Sequence, residues 1–454
     1  MHIPLLHRVS LHAAAAGFCA AIFLFVGTPS VSAQDKATLD LLVKKGIITQ
    51  ADEDSVAKSA AATVVTPKDA AVKGLKLEGM VQSQFDWMTT EDKGAGAANP
   101  PSNTEFLIRR AYLGAQADLG NGWNAEILFD FATGAKAAGG YQGTAGITPQ
   151  PNFEKLIITK KIDDLSGLLT AGYRKVNFTL EEMTPTTVLK PIERSILSNY
   201  FDSAYKGQTG QRLGFASRHA GLFWDGTVPN SGFFYGAAFV NGVQSALSYT
   251  NPGGLDRFGG WAYLGYGGTL GDDFNYKTGV NFGYTPNGNS IATQANSVWG
   301  YNPYFSVTYD KQWQLDADFI QAMVTNGRAS GPAATSTQRA APYGFSFTPS
   351  YKINPQWELV ARYTYLFTDG RGTNISDVVP DGQDVSSAGK LFNDAQSVYV
   401  GINWNIIGDS VKVLAGYEWD EFNHRATTGT ITANNLTGPR AVVNGFRTRI
   451  QLLF

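Results

Sequence analysis

The chain has 454 residues, 36 Lys and Arg against 38 Asp and Glu, and only 16% charged residues. A balance this close to neutral argues against a nucleic-acid binder working through a basic surface, and a single cysteine, Cys19, argues against a disulfide-stapled fold. Its 50 Gly, 27 Phe, 20 Tyr and 9 Trp suit many aromatic-rich strands separated by turns.

Residues 1–33 read as a secretory signal: Arg8 with His2, His7 and His12, an apolar run from Ala13 to Val26, and small residues Val31 and Ala33 before Gln34. The run is short for a membrane helix, and Phe18 before Cys19 is a poor fit to a lipoprotein site. Removing this leader, which holds one Arg and no acid, leaves 35 basic against 38 acidic residues and no cysteine. Residues 34–73 form a separate stretch, with helix expected over 38–61, Thr49 as its internal N-cap, and a TVVTPKD linker after it. A periplasmic spacer is the expectation for it, with anchoring to the cell wall as the alternative.

From residue 74 to 454 the period is two. Leu75, Leu77, Val81, Phe85 and Trp87 oppose Lys76, Glu78, Gln82, Gln84 and Asp86. The same alternation recurs at Ile127–Phe131, Trp313–Phe319, Trp357–Tyr365 and Val411–Asp420, and each of these segments has one apolar and one wet face. At the end, Phe446, Ile450, Leu452 and Phe454 share a face, opposite Arg447, Arg449 and Gln451. Trp87, Trp313, Trp357, Trp404 and Trp419 fall near segment ends, where interfacial girdles would sit.

The links between segments alternate in length. Short turns occur at 120–122, 163–167, 271–273, 310–312, 354–356 and 407–410, with a somewhat longer one at 224–232. Long links lie near 89–104, 134–150, 180–209, 243–256, 285–298, 326–340, 369–393 and 423–440. Eight long links against seven short ones imply sixteen strands, both ends on one side, and long loops opposite. The expected fold class is therefore all-β: a transmembrane antiparallel β-barrel, closed because hydrocarbon cannot satisfy a free strand edge. At this strand number the lumen holds water.

Three segments carry a family likeness. FLIRRAYLGAQADLGNGWNAEILFDF (106–131), LLTAGYRKVNFTLEEMTPTTVLKPIERSILSNYF (168–201) and the last strand resemble the phosphate-selective porin O and P family. LLVKKGIIT (41–49) resembles the periplasmic prelude of many members. The resemblance implies a trimeric outer-membrane porin whose long third loop, here 180–209, folds inward and narrows the channel. It also implies basic wall and loop residues that attract small anions, phosphate among them, and a final aromatic, Phe454, read by the barrel-assembly machinery.

Carried onto this chain, the resemblance makes Arg110, Arg174, Lys175 and Arg194 candidates for the constriction, with Glu181, Glu182 and Glu193 as acids of the loop. Alternation places Arg447 and Arg449 on the inner wall, with pairing to acids of the first strand such as Glu78 as their competing role. With Leu107, Leu113 and Leu119 assigned to lipid, Arg110 faces the lumen and Arg109 shares the lipid phase, snorkelling to the interface. For the loop charges, pinning of the loop to the wall by a Glu–Arg pair is the competing role. Tyr112 stands where many members carry a further Arg. Acids at 118, 316, 318, 418 and 420 make the inner face mixed in sign.

No HExxH, CxxC, GxSxG or phosphate-loop pattern occurs, and His219 and His424 are the only histidines after the leader. No enzyme activity, cofactor or metal is expected. Passive diffusion of small hydrophilic solutes through the outer membrane is the expected function, with lipid as the barrel's surroundings. A sugar-selective pore is the other reading, and it would need inward aromatics, whereas most aromatics fall on the lipid phase.

Overall fold

A computed structural model describes residues 72–94, 99–100, 102–132, 152–202, 212–242, 258–286, 297–325, 339–385, 391–427 and 436–454. The expected leader and the 38–61 helix lie outside these residues. The strands are β1 (Gly74–Asp92), β2 (Asn103–Gly120), β3 (Trp123–Asp130), β4 (Asn152–Ile162), β5 (Gly167–Lys175), β6 (Arg218–Thr227), β7 (Phe233–Asn241) and β8 (Phe258–Leu270). They continue as β9 (Phe274–Thr285), β10 (Val298–Tyr309), β11 (Trp313–Val324), β12 (Tyr343–Lys352), β13 (Trp357–Phe367), β14 (Phe392–Asp409), β15 (Val411–Arg425) and β16 (Ala441–Leu453). Each pairs antiparallel with its sequence neighbour and β1 pairs with β16, so the sheet closes as the expected sixteen-stranded barrel.

Short turns and long links separate to opposite ends. Tight reversal at the short end uses left-handed backbone, as at Gly120, Asn121 and Gly122, with φ of 78°, 52° and 76°. Both Gly74 and Phe454 lie at that end.

Closure is local and specific. Gly79 N–H donates to Phe454 O at 2.8 Å and Phe454 N–H donates back to Gly79 O at 3.1 Å. A Cβ on Gly79 would sit 2.4 Å from the Phe454 ring, so only glycine lets the terminal aromatic lie over β1. Along this seam Phe446, Ile450 and Leu452 face outward, while Arg447 and Arg449 are buried inside. Trp123, Trp313 and Trp404 are exposed at the short-turn end, Trp404 stacking on Trp357 at 5.4 Å, and Trp87 and Trp299 are exposed toward the other. These two bands fit two membrane interfaces.

The interior departs from the simple wet-inside expectation. Toward the long-loop end the inward positions are apolar: Phe223, Trp261, Ile320, Leu366 and Phe422 are all buried in one hydrophobic cluster. Residues of the 176–217 link, including Phe178, Leu197, Phe201 and Phe215, pack against them from within the barrel. Full burial of each such side chain contributes about 1.5–3 kcal/mol, enough to keep the link folded inward. Inward aromatics therefore exist, but they form a packed core.

Candidate functional site

Among its described residues, the link between β5 and β6, residues 176–217, carries the short α-helices α1 (Leu180–Met183) and α2 (Ile196–Phe201). Each is capped by its sequence: Thr179 Oγ1 accepts from Glu182 N–H and Ser195 Oγ from Ser198 N–H, both at 3.1 Å. Asp202 ties the two together, accepting from Thr179 Oγ1 and, at 3.1 Å, from Ser198 Oγ. Burial, reinforced by the charge of Glu182, holds the Asp202 carboxyl well above the usual carboxylate range.

The link reaches walls that are far apart in the ring. Asn281 on β9 donates to Phe178 O. Lys190 Nζ contacts Ser350 on β12 at 2.5 Å and Glu358 on β13 at 2.7 Å. Thr187 O accepts from Lys412 on β15 at 2.6 Å and from Gln451 on β16 at 3.0 Å. With Glu193 meeting β2 and β16, described next, the segment crosses the lumen.

Three charged clusters hold it there. In the first, Arg109 donates to Glu193 through Nε at 2.6 Å and Nη2 at 2.9 Å, and Arg449 Nη2 donates to the same carboxylate at 2.5 Å. Arg110 lies beside them, its Nη1 donating to Gln82 at 2.9 Å, and pairs with no carboxylate among the described residues. Burial opposes ionisation of Glu193, but Arg109 and Arg449 outweigh it and hold the carboxyl well below its ordinary range.

In the second cluster Glu182 receives Lys175 at 2.5 Å and Arg194, whose Nη2 also donates to Thr184 O at 3.2 Å. Burial would raise the Glu182 carboxyl, but Arg194, Lys175 and Arg218 bring it down to about 2 from 4.5. A depressed carboxyl contributes stability above its unfolded value and loses it as pH falls through the folded one. Acidification from about pH 4.5 toward about pH 2 is thus expected to release this anchor, read as falling thermal stability of the barrel.

The third cluster centres on Arg362, which sequence reasoning placed on a wet face without a role. Its Nη1 donates to Glu181 and to Glu193 O, both at 2.8 Å, and Nη2 reaches Glu418 at 3.4 Å. Arg447 meets Asp86 at 2.8 Å, Glu418 at 3.3 Å and Pro380 O at 2.6 Å. Glu78 is instead bonded to Gln116 at 3.0 Å.

Arg174 pairs with Asp225 at 2.6 Å and lies 4.4 Å from the centre of the Phe223 ring. Glu181 also accepts from Ser195 N–H at 2.9 Å. Phe454 lies at the seam, bonded to Gly79, and lines the cleft that Arg174, Lys175 and Glu182 also line. His219 is buried, 2.8 Å from Asn241 O and tilted on Trp261, while His424 meets Asp394.

Arg109 corrects the sequence reading. The β1–β2 register runs Gln82↔Arg110 and then Ser83↔Ile108, so a bulge skips Arg109. The extra residue shifts the phase: Phe106 and Ile108 face outward, Leu107 turns inward, and Arg109 reaches Glu193 inside. The alternation had assigned Leu107 and Arg109 to lipid because a bulge leaves no mark in residue type.

Two open clefts flank the link, and Thr184 lines both. One, of about 580 Å³, has Lys76, Lys155, Arg174, Lys175 and Arg218 against Glu78, Glu154 and Glu182. The other, of about 280 Å³ against β9 to β12, has Glu181, Asp316 and Asp318 with Lys190 and Lys277. Such mixed but sided linings can bias ions by charge while leaving water and small polar solutes room.

Comparison with known proteins gives a family-model match over part of the chain and a fold. The sequence model of the phosphate-selective porin O and P family matches residues 79–233, a span that includes both the 106–131 and 168–201 segments. Among solved structures, the outer membrane channel DcaP of Acinetobacter baumannii aligns over 86% of this chain and 100% of its own, at 13% identity and a TM-score of 0.53. The anion-selective porin from Comamonas acidovorans aligns over 84% and 99%, at 12% identity and a TM-score of 0.52. OprB of Pseudomonas putida, in a high-pH structure, aligns over 84% and 94%, at 12% identity and a TM-score of 0.50. At these identities the likeness is one of fold. No curated protein matches the chain.

Proposed function

We infer that this chain, a phosphate-selective porin O and P match folded as a closed sixteen-stranded barrel, is an outer-membrane porin for passive diffusion of small hydrophilic solutes. The observation that carries the reading is the inner link itself: it spans the lumen on charged anchors and leaves charged clefts on either side. Its neck favours anions, because two guanidinium groups, Arg109 and Arg449, share the single carboxylate Glu193 while a third, Arg110, lies beside them on Gln82. A low-dielectric wall focuses the field of that uncompensated charge into the passage. Phosphate is the anion suggested by the family match, and a guanidinium fork suits it. Export through a cleaved 1–33 leader, insertion by the barrel-assembly machinery and a trimeric assembly complete the proposal.

Arg110 carries the test, since it lacks a counter-charge. A unit charge ~7 Å from a passing ion in water-like surroundings is worth about 0.6 kcal/mol, roughly a factor of 2.7. Reversal potentials in a potassium chloride gradient are expected to show anion preference for the wild type and a drop of about that size for Arg110→Ala. Cation preference in the wild type would overturn the anion reading, and block of chloride current by phosphate at low concentration would support phosphate as the solute.

A further inference from the structure

The link between β13 and β14, residues 368–391, turns into the barrel and carries a short helix, α3 (Ile375–Val378), against α2. Asn199 on α2 donates to Val378 O at 2.9 Å. The turn before α3 is tightly framed. Asp369, Gly370 and Gly372 take φ of 51°, 77° and 79°, left-handed backbone that favours glycine. Asn393 Oδ1 accepts from Thr368 Oγ1 at 2.9 Å and from Gly370 N–H at 2.6 Å, and Thr368 Oγ1 accepts from Gly372 N–H at 2.9 Å. Thr373 and Phe392 exchange backbone hydrogen bonds of 3.0 and 2.9 Å.

This frame aims Arg371 inward with none of its surface exposed. Its Nε, Nη1 and Nη2 have no hydrogen-bond partner. The equally enclosed Arg362, Arg425 and Arg447 each meet a carboxylate, at 2.8, 2.6 and 2.8 Å. The Tyr200 hydroxyl on α2 is also buried, with Arg371 beside it. Burial pushes that hydroxyl up to about 12, and Arg371, by its charge and by contact with the hydroxyl, pulls against the shift. Asp369, the nearby acid, turns its Oδ2 to Ala341 N–H at 2.7 Å.

An arginine cannot shed its proton, and a buried charge without a partner is strongly unfavourable. Backbone strain, side-chain staples and burial are all invested in presenting this one. We propose that Arg371 and Tyr200 form a binding site for a small oxyanion, between the two inward links and apart from the Glu193 neck. The planar fork offers parallel donors to two oxygens of a phosphate or carboxylate group, and the tyrosine hydroxyl offers a third donor to the same group. The site does not depend on the ion preference of the channel, which reversal potentials test separately.

The test is thermal unfolding of the full chain in detergent, with inorganic phosphate titrated against chloride at constant ionic strength. Tm is expected to rise saturably with phosphate in the wild type and in Arg110→Ala. Arg371→Met should lose that rise while matching or exceeding wild-type Tm without phosphate, because its apolar side chain removes the lone charge. Tyr200→Phe should weaken half-saturation roughly tenfold, the loss of one hydrogen bond to a charged group. An equal rise in Arg371→Met, or no saturable rise in the wild type, overturns the site. Should Arg371→Met fail to assemble, Arg371→Lys keeps the charge without the fork, and unchanged half-saturation in it and in Tyr200→Phe overturns the site equally.

Discussion

Glu193→Gln should give a barrel that is less stable and more anion-preferring at once. In the wild type one buried carboxylate satisfies the bidentate Arg109 and the Nη2 of Arg449. Removing one member of a buried ion pair costs about 3–5 kcal/mol, because the partners stay buried and charged. The same loss frees positive charge at the neck, where Arg110 already lacks a counter-charge. Chloride-over-potassium preference should therefore rise while Tm falls. The backbone of the link stays held, since Arg362 grips Glu193 O and the Glu181 carboxylate at 2.8 Å each. Unit conductance is thus expected to change little in Glu193→Gln and to rise when Arg362→Met is added. Planar-bilayer recordings check both parts, and unchanged selectivity in the single variant would reject the role given to Glu193.

Deleting Phe454 should lower the amount of assembled barrel in cells while leaving export across the inner membrane intact. Phe454 and Gly79 exchange two backbone hydrogen bonds, and the terminal ring covers the glycine. Loss of the residue opens the end of the β1–β16 seam and removes the exposed aromatic at the chain terminus. Gly79→Leu separates the two effects, because it displaces the ring, whose atoms would lie 2.4 Å from a Cβ, yet keeps the terminal aromatic. Heat-modifiable mobility on gels measures assembly. A strong defect in the deletion with a mild one in Gly79→Leu would assign the terminal aromatic to recognition, and equal defects would assign it to the seam.

Strand number, closure and the two faces of most strands were legible in the chain because each rests on local chemistry. A period of two sorts Leu75, Leu77 and Val81 from Lys76 and Gln82 with no knowledge of the partner strand. Short and long links alternate because a membrane lets loops differ in length only side by side, so Arg447 and Arg449 could be placed indoors from their spacing alone. The barrel's contents were another matter. Arg109 changed face through a one-residue bulge, and Arg449 found Glu193 256 positions away because ring closure brings β16 beside β2's neighbour and the inner link beneath both. Arg362 and Arg371 gain their surroundings only where two links fold inward and enclose them. A face is set by a residue's neighbours in sequence, whereas a charge's partner is set by which distant segments share one low-dielectric space. Only the tertiary structure decides that.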